Sequence, residues 1–174
     1  MYGRRFRTPL GEMVAVVDPA GAVVRLEFAR GGRREPDLPF TEEGRCAEVV
    51  RQLLEYFDGA RREFDLALRP EGTAFQQAVW SELVRVPYGE RVTYGDLARK
   101  VGRPDAVRAV GAANGANPIA IVIPCHRVVG SDGSLTGYGA GLPAKRWLLD
   151  HEAGLRRLPL SGVHPERPEV HRTR

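Results

Sequence analysis

Residues 94–114 read YGDLARKVGRPDAVRAVGAAN, and this stretch decides the predicted fold. The spacing of its apolar residues predicts one short helix over 94–101 and a second over 105–114. Between them, Gly102-Arg103-Pro104 ends the first helix, because proline and glycine both disfavour helical hydrogen bonding. Two short helices around a tight, glycine-containing turn are typical of a helix-turn-helix. The stretch therefore predicts an element that binds DNA.

The flanking sequence divides into a small N-terminal unit and a larger C-terminal unit. Periodicity and turn residues predict strands over 3–8, 13–17, 23–29 and 63–68, helices over 42–57, 74–86 and 144–153, and a buried apolar run over 119–123. We expect an α/β N-terminal domain over 1–68, a linker over 69–73, a C-terminal domain over 74–155 and a loosely ordered tail over 156–174. The predicted fold class is α+β, in which a helical, winged-helix-like domain with the helix-turn-helix follows the small α/β domain.

The composition limits the classes of protein to which the chain can belong. Its net charge is +4, which favours a polyanionic partner. Lys100 and Lys145 are the only lysines. Genome composition is the favoured explanation for the excess of arginine, and phosphate binding by the guanidinium groups can operate as well. The sequence has no run of about 18 apolar residues and no apolar segment of a signal peptide near its start, so we expect a cytoplasmic protein without membrane association.

The cysteines and histidines exclude several kinds of site. Two cysteines, Cys46 and Cys125, cannot form a disulfide framework or a cysteine-rich zinc site. The four histidines are scattered, so no spacing typical of a metal site is present. Cys46 lies beside the apolar stripe of the predicted helix 42–57 and is interpreted as a packing residue.

Residues 121–129, IVIPCHRVV, place a cysteine and a histidine where an apolar run meets proline. Pro124 ends strand pairing, so Cys125 is predicted at the end of a buried strand and at the edge of a cleft. His126 could take the thiol proton, but adjacent strand residues point to opposite faces, so a bridging water and an orienting carboxylate would be needed. From these residues alone, a buried cysteine beside a hydrogen-bonded histidine explains the pattern equally well.

The wider sequence resembles a known family. Residues 123–152, IPCHRVVGSDGSLTGYGAGLPAKRWLLDHE, and the upstream segments PYGERVTYGDLA and AVRAVGAANGANPIAIVIPCHRV closely resemble the active-site region of the O6-alkylguanine-DNA alkyltransferases, the methylated-DNA–protein-cysteine methyltransferases. The resemblance covers about residues 75–153, and the N-terminal half carries no comparable motif. The sequence departs from the family pattern at Ala140 and Ala153, where glycine is common.

The resemblance implies a catalytic set. Cys125 matches the alkyl acceptor, and His126 matches the histidine that takes the thiol proton through a water. Glu152 matches the carboxylate that orients this histidine, which satisfies the requirement for a base and its orienting group. Asn117 matches the asparagine that braces the turn before the active site. Tyr94 matches the tyrosine whose hydroxyl reaches guanine N3 and supplies a proton.

The resemblance also implies contacts with the substrate base. The backbone N–H of Gly139 matches a donor to O6 of guanine. The carbonyls of Cys125 and Val128 match acceptors for the exocyclic amine. Tyr138 and Lys145 match further residues of the pocket.

The second helix of the helix-turn-helix is expected to face DNA. Arg108 matches the family's arginine finger, which enters the minor groove and replaces an extruded base, although from the residues alone it is a surface charge on a helix. The predicted DNA-binding residues are Arg108, Ala109, Ala112, Ala113, Asn114 and Gly115. Their small side chains suit close approach to a minor groove about 6 Å wide, or close packing on a neighbouring helix, and both explanations can hold on different faces.

The resemblance implies stoichiometric repair of O6-alkylguanine in double-stranded DNA, without a cofactor. We expect a monomer, with cooperative assembly along DNA left open. Two other functions remain as alternatives. One is lesion recognition without catalysis, as in alkyltransferase-like proteins, which lack the cysteine. The other is sequence-specific regulation by a plain helix-turn-helix protein.

Overall fold

The computed structural model describes residues 1–29 and 44–155. The predictions for the polar loop at 30–39, the start of the helix at 42–57 and the tail at 156–174 lie outside these residues. Within the described part, no helix combines the length and the apolar character needed to cross a membrane.

The N-terminal unit is built on an antiparallel sheet of three strands. These are β1 (Tyr2–Thr8), β2 (Gly11–Val17) and β3 (Val23–Phe28), in the order β1-β2-β3. The three predicted strands are confirmed to within two residues at each end. Helix α1 (Ala47–Phe57) buries Val49, Val50 and Leu53 in the same apolar core as the sheet. Cys46 precedes α1 and is buried there, as a packing residue would be.

The outer edge of β3 is covered by two later segments of the chain. Val23 forms a parallel bridge with Leu68, and Leu26 forms one with Ile119. The Leu26 N–H donates to the Pro118 carbonyl at 2.9 Å. The strand predicted over 63–68 is wrong, because only Leu68 forms a bridge. The edge of the sheet is thereby closed, and the segment before the active site is attached to the N-terminal unit.

The C-terminal unit is mainly helical. Its elements are α2 (Ala74–Val84), β4 (Val92–Thr93), α3 (Tyr94–Lys100), α4 (Val107–Gly115), β5 (Val128–Val129) and α5 (Leu142–Glu152). The strands β4 and β5 pair in parallel. Thr73 and Thr93 form capping boxes at the starts of α2 and α3, which fixes where these helices begin. The predicted α+β class, with a helical domain after a small α/β domain, is confirmed.

The helices α3 and α4 form the expected helix-turn-helix. Leu97 and Ala98 of α3 and Val110 and Ala113 of α4 are buried in the common core. Trp80 of α2 donates its indole N–H to the Ala113 carbonyl at 2.9 Å, so this buried aromatic residue has its polar atom satisfied. The pair α3–α4 is therefore held against α2 by packing and by one specific hydrogen bond.

The apolar run at 119–123 is a tight turn, so its prediction as a strand is wrong. Ile121 has φ of +72°, an unfavourable conformation for a β-branched residue. Asn117 closes the turn, because its amide donates to the Ile123 carbonyl at 2.8 Å and accepts from the Ile119 N–H at 2.9 Å. A 3₁₀ helix, Cys125–Arg127, follows. The unbroken series of apolar residues made the run look like a strand, because such a series does not distinguish a buried strand from a packed turn.

The linker before α2 packs closely on Trp80, which gives a test of the fold. A Cβ atom at Gly72 would lie 2.5 and 2.7 Å from atoms of the Trp80 ring. We expect Gly72→Ala to lower stability by about 1–3 kcal/mol, because the buried indole has no room to move aside. Thermal unfolding followed by circular dichroism would measure this loss.

The matched control is Gly115→Ala, because a Cβ atom there has no neighbour within 4 Å. This variant should be as stable as the wild type or slightly more stable, since alanine is the better helix former. Equal melting temperatures for the two variants would contradict the packing described here.

Candidate active site

Cys125 begins the 3₁₀ helix and is 7% exposed. Its carbonyl accepts from the Val128 N–H and, at 3.4 Å, from Nδ2 of Asn114. The role expected for this carbonyl, accepting from a substrate amine, would require it to give up one of these donors. The residue is thus almost completely buried, and a reaction partner must approach the thiol closely.

Burial raises the pKa of Cys125. A hydrogen bond from the Asn117 side chain, the charge of Lys145 and nearby backbone N–H groups act in the opposite direction but do not outweigh burial. The sulfur is therefore mainly a thiol at neutral pH, and only a thiolate is strongly nucleophilic. The site needs a base to remove the proton.

His126 has the properties of that base. It is fully buried, and its Nε2 lies 2.7 Å from Oε1 of Glu152. Burial lowers the pKa of His126, the Glu152 carboxylate opposes this effect, and the charges of Arg127 and Lys145 lower the pKa further. The imidazole is thus neutral at pH 7, with its proton on the nitrogen that donates to Glu152. Its Nδ1 has no hydrogen-bond partner among the described protein groups and keeps a lone pair for accepting a proton.

Glu152, the last residue of α5, is held by five donors. Oε1 accepts from Tyr56 Oη at 2.7 Å, from His126 Nε2 and from Arg127 Nη2 at 3.0 Å. Oε2 accepts from Arg127 Nε at 2.9 Å and from the Gly89 N–H at 3.1 Å. Burial would raise the pKa of this carboxyl, but the bonds and charges of His126 and Arg127 outweigh it and hold the pKa far below its usual range. Glu152 is therefore an ionised orienting group.

Arg127 and Tyr56 are residues of this site that the sequence analysis missed. Arg127 is buried, and it also donates from Nη1 to the Val86 carbonyl at 2.5 Å. A signal for it existed, since an arginine inside the apolar run at 121–129 must find a buried partner. Tyr56 gave no such signal, because it is 96 positions from Glu152 in the chain.

Two residues predicted for the site, Tyr94 and Lys145, meet at the carbonyl of Thr136. Lys145 is fully buried, and its Nζ donates to the Thr136 carbonyl at 2.8 Å. The Tyr94 hydroxyl donates to the same carbonyl at 3.3 Å. Burial lowers the pKa of Lys145, while the negative charge of a Cys125 thiolate would raise it. A cation and a phenol are thus fixed on one carbonyl beside the thiol.

The remaining predicted pocket residues differ in their exposure. Tyr138 is half-buried, its hydroxyl has no partner among the described protein groups, and burial raises its pKa well above the usual range. Gly139 is exposed, so its backbone is open to a ligand, whereas Val128 is buried in β5. The described residues hold no group of three or more histidine, cysteine, aspartate or glutamate side chains that could bind a metal.

The helix α4 separates the predicted DNA-binding residues into two faces. Arg108, Ala109, Ala112 and Gly115 are exposed. Ala113 and Asn114 are buried, at 2% and 4% exposure, and DNA binding at these two positions stays a prediction. The helical period of 3.6 residues turns these two inward, where Asn114 braces the Cys125 carbonyl.

The buried carboxylate gives a second test. In Glu152→Gln, the Arg127 charge loses its counter-charge in a buried site, and we expect a loss of about 3–5 kcal/mol in the free energy of unfolding. Chemical denaturation would measure it. Glu82→Gln is the control, because its partner Arg85 is 72% exposed and such a pair contributes less than about 1 kcal/mol.

The difference between wild type and Glu152→Gln should depend on pH. Folding lowers the pKa of Glu152, so its ionised form stabilises the protein above the unfolded pKa of about 4.3 and this stabilisation is lost as pH falls. The two unfolding free energies should therefore converge below about pH 4. A gap that stays constant down to pH 2 would contradict the assigned charge state.

Comparisons with known proteins identify the family of this chain. Residues 74–154 match the family model described as 6-O-methylguanine DNA methyltransferase, DNA binding domain. The methylated-DNA–protein-cysteine methyltransferase of Methanosarcina acetivorans is 46% identical over 154 residues, which cover 87% of this chain and 98% of the relative. The corresponding protein of Mycobacterium tuberculosis is 54% identical over 109 residues, which cover 63% of this chain and 66% of the relative.

Solved structures give the same result. The crystal structure of Mycobacterium tuberculosis OGT in complex with DNA is similar with a TM-score of 0.82 and 41% identity, covering 88% of this chain and 94% of that one. The O6-methylguanine-DNA methyltransferase of Pyrococcus kodakaraensis is similar with a TM-score of 0.63 and 26% identity, covering 86% and 98% of the two chains. The sequence and the fold agree on one conclusion: this chain belongs to the methylated-DNA–protein-cysteine methyltransferase family.

Proposed function

We propose that this methyltransferase repairs DNA by moving the alkyl group from O6 of a guanine to Sγ of Cys125, once per protein molecule. The observation that carries the proposal is the neutral, buried His126 beside Cys125, fixed by the ionised Glu152 and left with an unpaired Nδ1. This arrangement supplies a nucleophile, a base and an orienting group. The DNA-bound structural neighbour supports duplex DNA as the partner.

The proposed reaction begins with proton transfer from the Cys125 thiol to His126 Nδ1 through a bridging water. The thiolate then attacks the alkyl carbon, so that the S–C bond forms while the C–O6 bond breaks and its electron pair goes to the guanine. Tyr94 delivers a proton to N3, which neutralises the guanine anion. The proton held by His126 then restores the Tyr94 hydroxyl. The product is a thioether, which leaves no nucleophilic sulfur, so the reaction is a single turnover and calls for no cofactor.

The proposal requires the target base to leave the duplex. Cys125 is only 7% exposed, and a base stacked in DNA cannot reach it without being flipped out. The outer face of α4 offers Ala109, Ala112 and Gly115 to a narrow minor groove, with Arg108 placed to fill the vacated stack. We propose that one protein molecule binds one lesion in this way, in the cytoplasm, where Cys125 stays reduced.

Alkyl transfer to Cys125 can be measured directly by mass spectrometry. After incubation of the reduced protein with duplex DNA that contains O6-methylguanine, we expect a gain of one methyl group on the peptide that contains Cys125. Cys125→Ser should show no gain. Cys46→Ser should show the full gain, because Cys46 is buried against backbone carbonyls in the N-terminal unit.

Two results of that measurement would overturn the proposal. A methyl gain in Cys125→Ser would place the acceptor elsewhere. No gain in the wild type, together with tight binding to the lesion, would indicate recognition without catalysis, and equal binding to undamaged DNA would indicate a plain regulator.

The role of Arg108 can be separated from chemistry by the choice of substrate. We expect Arg108→Ala to slow methyl transfer from duplex DNA by about tenfold or more, since base flipping costs a few kcal/mol. Transfer from the free base O6-methylguanine should change little, because no flipping is needed. Single-turnover rates on the two substrates would show the difference.

The control is Arg85→Ala, which removes an exposed charge at the end of α2. It should leave both rates close to those of the wild type. An equal loss on duplex and on free base in Arg108→Ala would mean that Arg108 acts on the pocket and not on the extruded base.

A further inference from the structure

Tyr56 connects the N-terminal unit to the catalytic carboxylate. It lies in the last turn of α1 and is fully buried. Its hydroxyl donates to Glu152 Oε1 at 2.7 Å, and its own carbonyl accepts from Nε2 of His151 at 2.7 Å. One residue of α1 therefore holds two consecutive residues at the end of α5.

The hydroxyl of Tyr56 acts on the same oxygen as His126. Oε1 of Glu152 accepts from Tyr56, from His126 and from Arg127. Each donor draws negative charge from this oxygen and restricts its position. The Tyr56 bond therefore weakens the pull of Oε1 on the His126 proton and fixes the direction from which that pull comes.

We propose that Tyr56 is a positioning residue for proton transfer in the active site. Its hydroxyl sets the orientation and the charge of Glu152 Oε1, and through this oxygen it sets the basicity of His126 Nδ1. This inference rests on the proposed function, because Nδ1 matters only if it accepts the thiol proton. It makes the N-terminal unit part of the proton-transfer machinery.

Several elements place charged or titratable groups around Glu152 and His126. They are Tyr56 on α1, Tyr88 before β4, Cys125 and Arg127 on the 3₁₀ helix, Tyr138 before α5, and Lys145 and His151 on α5. Burial and the charge of Glu152 raise the pKa of Tyr56 well above its usual range, so its hydroxyl stays a donor at all pH values used for assays. Arginine keeps its charge over the same range.

The direction of the effect follows from the charge on Glu152. Without the Tyr56 hydroxyl, Oε1 keeps more negative charge and stabilises the doubly protonated imidazolium of His126, so the pKa of His126 rises. A doubly protonated His126 cannot accept the thiol proton. The acid limb of the rate profile should therefore move to higher pH.

Tyr56→Phe tests this inference with little disturbance to packing. The ring packs against Phe57, Phe64, Tyr88 and His151, and phenylalanine can keep these contacts as well as the backbone bond to His151. The matched control is Tyr88→Phe, because Tyr88 packs 6.1 Å from Tyr56 and has no hydroxyl bond to Glu152 in the described part of the chain.

The measurement is the single-turnover rate of methyl transfer against pH, with the ring ¹⁵N shifts of His126 titrated in parallel. For Tyr56→Phe we expect a fall of about 3–10-fold at neutral pH, which matches the net contribution of one ordinary hydrogen bond. The acid limb and the His126 titration should both move to higher pH. DNA affinity should stay unchanged, and Tyr88→Phe should behave like the wild type.

The outcomes are distinguishable. Equal rates and profiles for Tyr56→Phe and wild type would overturn the inference, and so would a uniform fall in rate with an unchanged His126 titration, which indicates a purely structural role. If the wild type transfers no methyl group, the proposed function fails, and the His126 titration alone still decides whether Tyr56 sets the basicity of that imidazole.

Discussion

The structure depends on the burial of one carboxylate, that of Glu152. A buried charge is tolerated only if it is paired and fully hydrogen-bonded. Five donors meet this requirement, and they come from α1, from the segment before β4 and from the 3₁₀ helix. These three segments are far apart in the sequence. The two units of the chain must therefore be docked before Glu152 can be ionised inside the protein.

A second constraint links the DNA-facing helix to the thiol. Asn114 and Asn117 lie at and just beyond the end of α4, and both bind the segment that leads to Cys125. Asn117 also holds the turn in which Ile121 adopts positive φ, a conformation that costs about 1–3 kcal/mol and persists only when the surroundings impose it. A displacement of α4 would thus be transmitted to the position of the sulfur.

Burial acts on the thiol and on its base in the same sense. It raises the pKa of Cys125 and lowers the pKa of His126, because burial disfavours the charged form of each group. Both effects keep the proton on sulfur while the site is empty. Under the proposed function this protects a nucleophile that can be used only once, and formation of the thiolate awaits the substrate.

The sequence by itself determined the local features of this protein, namely the three strands, the helix-turn-helix and the small-residue composition of α4. The family resemblance of residues 123–152 predicted a catalytic set that includes Cys125, His126 and Glu152. The structure places His126 and Glu152 within hydrogen-bonding distance. Tertiary structure alone decided that 119–123 is a turn and that Tyr56 and Arg127 bind the carboxylate. The physical reason is range: periodicity reports the neighbours within a few positions, whereas the partners of a buried charge are chosen by the docking of distant segments.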